Sequence, residues 1–91
     1  MEFCFDPAKD VHLRATRGLG FVEIIALIEG GHLLDVVPHP NQARYPGQEI
    51  AGVDVRGYVY RVPFLREAST WHLRTIYASR KATRNHRKGR T

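Results

Sequence analysis

Arg74, Tyr77, Arg80 and Lys81 lie in one short stretch near the end of this 91-residue chain, and their types suit one reaction. Cleavage of RNA by attack of a ribose 2′-hydroxyl on the neighbouring phosphate needs positive groups around the phosphate. It also needs an acceptor for the 2′ proton and a donor for the leaving 5′ oxygen. Arg80, Lys81 and Arg74 meet the first need. Tyr77, or His39 or His12 brought in by the fold, meets the others or stacks a base. This chemistry requires no metal. On composition alone a second reading stays open, because cations at a strand end commonly face solvent or a nearby carboxylate.

Other chemistries find less support. The chain holds no Gly-rich phosphate loop, and its histidines, at positions 12, 32, 39, 72 and 86, have neither helical metal-site spacing nor cysteine partners. Neither a metal nor another cofactor is expected. The nine acids are scattered rather than paired for acid and base work. The single cysteine, Cys4, cannot form an internal disulfide and, between Phe3 and Phe5, is expected to be a small buried hydrophobe.

The charge is uneven. Residues 80 to 91 hold six of the fourteen Lys and Arg residues and no acid, so the net charge of +5 becomes −1 without them. A cationic block on a near-neutral body fits nucleic acid, an anionic membrane or an acidic partner protein, and equally a solvated tail. The longest apolar run, Ile24 to Ile28, is too short to span a bilayer, and Glu2 stands where a signal peptide would carry bases. The expectation is a cytoplasmic protein without a membrane partner.

A chain of this length makes one domain, read as residues 1–83 with 84–91 as a basic tail. Met1 to Phe5 reads as a strand. Asp6-Pro7 is a cap followed by proline at the first helical position, which predicts a helix to about Arg17, ended by Gly18. Gly20 then caps a second helix, whose Phe21, Ile24, Ile25 and Ile28 make one apolar stripe and which Gly30-Gly31 stops. From His32 the period changes to two. Strands are predicted at Leu33 to Val37, Glu49 to Val55, Tyr58 to Val62 and Trp71 to Ala78, with a polar loop from Pro38 to Gln48. Arg56-Gly57 reads as a tight hairpin turn, and Pro63 as the end or edge of its ladder. In the last strand Trp71, Leu73, Thr75 and Tyr77 are expected on one side, and His72, Arg74 and Ile76 on the other. The class is α+β: an N-terminal strand, two helices on one face of an antiparallel sheet of about four strands, and a charged extension.

The order of these pieces carries a resemblance. F-D-P-A-K (Phe5 to Lys9), R-G-L-G-F-V-E-I (Arg17 to Ile24), L-L-D-V-V-P-H-P-N (Leu33 to Asn41) with Y-P-G-Q (Tyr45 to Gln48), Y-V-Y-R-V-P-F (Tyr58 to Phe64) and L-R-T-I-Y-A-S-R-K-A-T (Leu73 to Thr83) resemble the BrnT-type toxins, and more closely a BrnT-like branch ending in S-R-K-A-T. The resemblance implies a RelE-like α+β fold and a metal-independent endoribonuclease that stops translation by cutting mRNA, on or off the ribosome. It also implies a cognate antitoxin that forms a hetero-oligomer with the toxin. Arg80, Lys81, Arg74, Tyr77 and His39 then become the candidate catalytic set, and Lys9, Arg17, Arg84, Arg87 and Lys88 the candidate RNA contacts. Two positions depart from the family pattern. Thr16-Arg17-Gly18 replaces K-H-G at the end of the first helix, putting a permanent cation where a proton acceptor stands, and Gly20 replaces a Ser-like cap. A non-catalytic nucleic-acid-binding module and a partner-interaction protein using the basic C-terminal edge are the alternative functions.

Overall fold

The computed structural model describes residues 1–89, so Arg90, the last cation of the basic block, lies outside the described residues. The element order is β1 (Glu2–Cys4), α1 (Pro7–Arg17), α2 (Phe21–Leu27) prolonged by one wider turn (Ile28–His32), β2 (Leu33–Pro38), β3 (Gln48–Val55), β4 (Tyr58–Glu67), β5 (Thr70–Leu73), β6 (Tyr77–Ala78) and α3 (Arg80–Gly89). The class is α+β, with a larger sheet than the four strands expected. Its order is β1-β5-β4-β3-β2, with β6 beside β4. β1 runs parallel to β5, and every other pairing is antiparallel.

Local chemistry sets the two N-terminal helices. The Asp6 carboxylate accepts from the Ala8 N–H at 2.9 Å, and Pro7 occupies the first helical position. Gly18 closes α1 in the left-handed region (φ 70°), its N–H donating to the Arg14 carbonyl at 3.0 Å. Gly20 is the N-cap residue of α2 but has no side chain to accept the helix's first N–H groups. Asp10 supplies the acceptor from the neighbouring helix, because its Oδ1 accepts from the Phe21 N–H at 2.7 Å while Oδ2 accepts from Arg14 Nη2 at 2.7 Å. A Cβ on Gly20 would come within 2.7 Å of the Arg14 side chain and against Asp10 Oδ1, so glycine permits the cross-helix cap.

One face of the sheet carries the core. Leu13, Leu19, Phe21, Ile24 and Ile28 from the helical layer pack on Ala51, Val53, Val62, Phe64, Trp71, Leu73 and Ile76. The Phe64 and Trp71 rings stack at 3.9 Å, and the Arg66 guanidinium lies over both. Arg56 and Gly57 turn the β3–β4 hairpin with positive φ at both positions (56° and 88°), as a two-residue primed turn requires.

Four expectations are corrected. Pro63 does not end its strand: it sits inside the ten-residue β4, paired with Ile50 of β3 on one side, and borders the end of the β5 ladder on the other. In an antiparallel strand a residue's N–H and C=O face the same way. The Pro63 carbonyl accepts from the Arg74 N–H (2.9 Å), so its ring nitrogen faces the gap where β5 has ended and β6 has not begun. No ladder donor is lost there. The same gap divides the single strand expected from Trp71 to Ala78 and reverses its facing, so that Ile76 is fully buried and Tyr77 exposed. Cys4 is exposed, because Phe3 and Phe5 turn inward from the strand and its end and leave the residue between them facing out. The segment read as a basic tail is part of a helix that runs from Arg80 to Gly89.

Candidate nucleic-acid interface

α3 starts where the sheet edge leaves backbone groups to complete. β6 pairs with Tyr60 and Arg61 of β4 and stops, leaving Val59 beyond it. The Ser79 N–H donates to the Val59 carbonyl at 3.0 Å, and the Val59 N–H donates to the Thr83 hydroxyl at 2.8 Å. Ser79 also caps the helix, its Oγ accepting from the Ala82 N–H at 3.1 Å. Thr83 is 4 % exposed and gives its own hydrogen to the Ser79 carbonyl at 2.7 Å. The S-R-K-A-T segment is thus the joint that docks α3 on β4.

That docking aims the charges. Positions 80, 84, 87 and 88 recur on one side of a helix, and Arg80, Arg84, Arg87 and Lys88 line a cleft of about 510 Å³ together with Tyr58 and Thr83. No Asp or Glu is among the described residues that line it. Helical pitch spreads these cations over about 12 Å of α3. The Tyr58 ring, half-buried, supplies an aromatic surface beside them.

The candidate site residues do not all meet. Arg80, Arg84, Arg87 and Lys88 share the α3 cleft, while Lys81 is exposed on α3 outside it. Arg74 is not among the described residues that line the α3 cleft. It lines a second cleft, of about 370 Å³, with Lys9. Its N–H is anchored on Pro63, four residues along β4 from the Val59 anchor of Ser79, or about 14 Å away. Arg17 lines a third cleft, of about 450 Å³, with Glu23, Leu27, Val55, Arg56 and Tyr60. Tyr77 is exposed on β6 opposite Arg61. His39 is committed elsewhere: its Nδ1 accepts from the Asn41 N–H at 3.0 Å and its ring lies 4.5 Å from Tyr45. Its N–H reaches Gln48 at the opposite end of β3 from Asp54, which faces α3. The six steps from Gln48 to Asp54 span about 20 Å of strand. His12 is exposed on α1.

Comparison with models of protein families, with curated proteins and with solved structures finds no match to this chain.

Three residues that sequence reasoning passed over belong to this region. Tyr58 opens β4 under the cationic stripe, and Thr83 makes the joint. His86 faces the sheet from the other side of α3, its Nε2 3.7 Å from Asp54 Oδ2, buried and without a hydrogen-bond partner. Asp54 spends its other oxygen on the Gly57 N–H at 2.7 Å. On that side a cleft of about 330 Å³ holds Asp35, Arg61, Asn85 and His86. The Arg61–Asp35 ion pair (2.8 Å) crosses Gly52, where a Cβ would strike both partners. The one signal in the sequence was the Ser79 to Thr83 spacing, one helical turn apart and right for a capped helix start. Among the described residues no three His, Cys, Asp or Glu side chains come together as metal ligands, and no helix is long and apolar enough to cross a membrane.

Proposed function

We propose that the protein is a BrnT-like toxin, an endoribonuclease that seats single-stranded RNA in the α3 cleft and is neutralised by an antitoxin partner. The observation that carries this reading is the convergence of Arg80, Arg84, Arg87 and Lys88 on one side of α3 beside the Tyr58 ring. Cations that track a phosphate backbone, next to an aromatic surface for a base, are what single-stranded nucleic acid requires. The order of the sequence motifs supports the toxin assignment, and an acidic antitoxin segment would cover the same cations. Translation inhibition places the action on mRNA in the cytoplasm.

Attack of a 2′-hydroxyl on the adjacent phosphorus adds negative charge to the phosphate oxygens, and Arg80 beside the docking joint is the group assigned to it. The Thr83 hydroxyl is used twice in holding α3. Among the described residues lining the cleft, this leaves the Tyr58 hydroxyl to give its proton to the leaving 5′ oxygen as the phosphorus–O5′ bond breaks. The attacking 2′-hydroxyl loses its proton to solvent water, from which the phenolate is reprotonated.

One observation favours a second reading, a nucleic-acid-binding module without catalysis: neither His nor carboxylate is among the described residues lining the α3 cleft. Induced expression in a bacterial host, with and without the adjacent gene, followed by mapping of RNA 5′ ends, separates the two. The nuclease predicts growth arrest with new 5′ ends, relieved by the antitoxin. RNA binding without new ends would support the module and sink the nuclease.

A further inference from the structure

We propose that the cleft between β5 and the start of α1 is a second nucleotide subsite, which holds the same single-stranded RNA a few nucleotides away from the α3 cleft. This rests on the function proposed above. Lys9 and Arg74, from a helix and from the end of a strand, converge there on about 370 Å³. His72 joins them, with its Nε2 3.9 Å from Glu67 Oε2. Phe5 and Leu73 form an apolar wall. The one carboxylate among the described residues lining the cleft, that of Asp6, accepts the Ala8 N–H at 2.9 Å as the cap of α1. Two cationic side chains against an apolar wall suit a ligand with an anionic end and a flat apolar body, and a nucleotide of an RNA strand has both.

Position selects RNA over an acidic peptide. The Arg74 N–H hangs from the Pro63 carbonyl and the Ser79 N–H from the Val59 carbonyl, so both clefts lie along one edge of β4, about 14 Å apart at their anchors. β6 bridges the interval, with Tyr77 exposed opposite Arg61. A strand leaving the α3 cleft therefore passes an aromatic side chain before it reaches Lys9 and Arg74. A purely acidic peptide would engage the cations alone, whereas a nucleotide base also uses the apolar wall and Tyr77.

The test measures binding of fluorescent oligouridylates of about three and about twelve nucleotides to the full chain over a range of salt. Lys9→Ala with Arg74→Ala, both side chains outside the core, should weaken the longer RNA by about tenfold at low salt and leave the shorter one unchanged. It should also reduce the salt slope for the longer RNA by about 1.4, the share of two phosphate contacts on a single strand. Tyr77→Ala should weaken the longer RNA only. Arg84→Glu with Arg87→Glu should weaken both lengths. If the α3 variant weakens both and the Lys9–Arg74 variant changes neither affinity nor slope, the subsite is overturned and the α3 reading stands. The subsite is also overturned if the Lys9–Arg74 variant loses polyglutamate binding while keeping its RNA affinity. No binding of either RNA by the intact protein overturns both.

Discussion

The Thr83 hydroxyl accepts the Val59 N–H at 2.8 Å across 24 residues of sequence, and this bond joins the basic helix to the sheet. The helix offers little else for docking, since Ala82 is the one apolar side chain between Arg80 and Gly89. Thr83→Val keeps the shape and removes the acceptor, leaving a buried N–H unpaired at a cost of about 1–3 kcal/mol. Urea unfolding should show that loss. Hydrogen exchange should show faster opening of α3, and Thr83→Ser should restore both.

Arg80→Ala should reduce RNA cleavage tenfold or more, because a charge-assisted contact realised in the transition state contributes about 1.5–3 kcal/mol. Single-turnover rates on folded variant protein are the measurement. An unchanged rate would remove Arg80 from the chemistry, while Tyr58→Phe should slow cleavage with RNA affinity retained.

Cleavage should persist in EDTA. The assigned steps use a guanidinium and a phenol hydroxyl, and a nuclease that works only with added divalent ion would require a different mechanism.

Asp10 predicts an acid limb in stability. The Arg14 guanidinium, first of its partners, together with the backbone N–H groups of Phe21 and Val22, holds its carboxyl below the usual range against the opposing effect of burial. A carboxyl with a depressed folded pKa contributes stability that is complete above its unfolded value, about 4, and is lost as pH falls through the folded value. Asp10→Asn should lower Tm at neutral pH and flatten the dependence of Tm on pH below about 4.

Truncation after Thr83 keeps the Val59 joint and removes Arg84, Arg87 and Lys88 from the α3 cleft. The sheet and first two helices should remain folded. RNA affinity should fall at low salt, and the gap from the full chain should narrow as salt rises, because screening weakens the removed contacts. Equal affinity at low salt would make the segment a bystander.

What was legible in the sequence was local. Asp6-Pro7 and Gly18 delimit α1, the spacing of Phe21, Ile24, Ile25 and Ile28 defines the inner face of α2, and Arg56-Gly57 specifies its turn, because each depends on the dihedral and hydrogen-bond preferences of neighbouring residues. The α+β class followed from those elements. Tertiary structure decided what depends on distant partners. Pro63 continues β4 because the facing strand breaks opposite its nitrogen, and that same break turns Ile76 inward and Tyr77 outward. The polar segment after Ser79 is a docked helix because Val59, far back in the chain, needs a donor and an acceptor beyond the end of β6. The candidate site divided for the same reason. Charge counts along a chain say how many cations there are, whereas the separation of the Val59 and Pro63 anchors on β4 places Arg80 and Arg74 in different clefts.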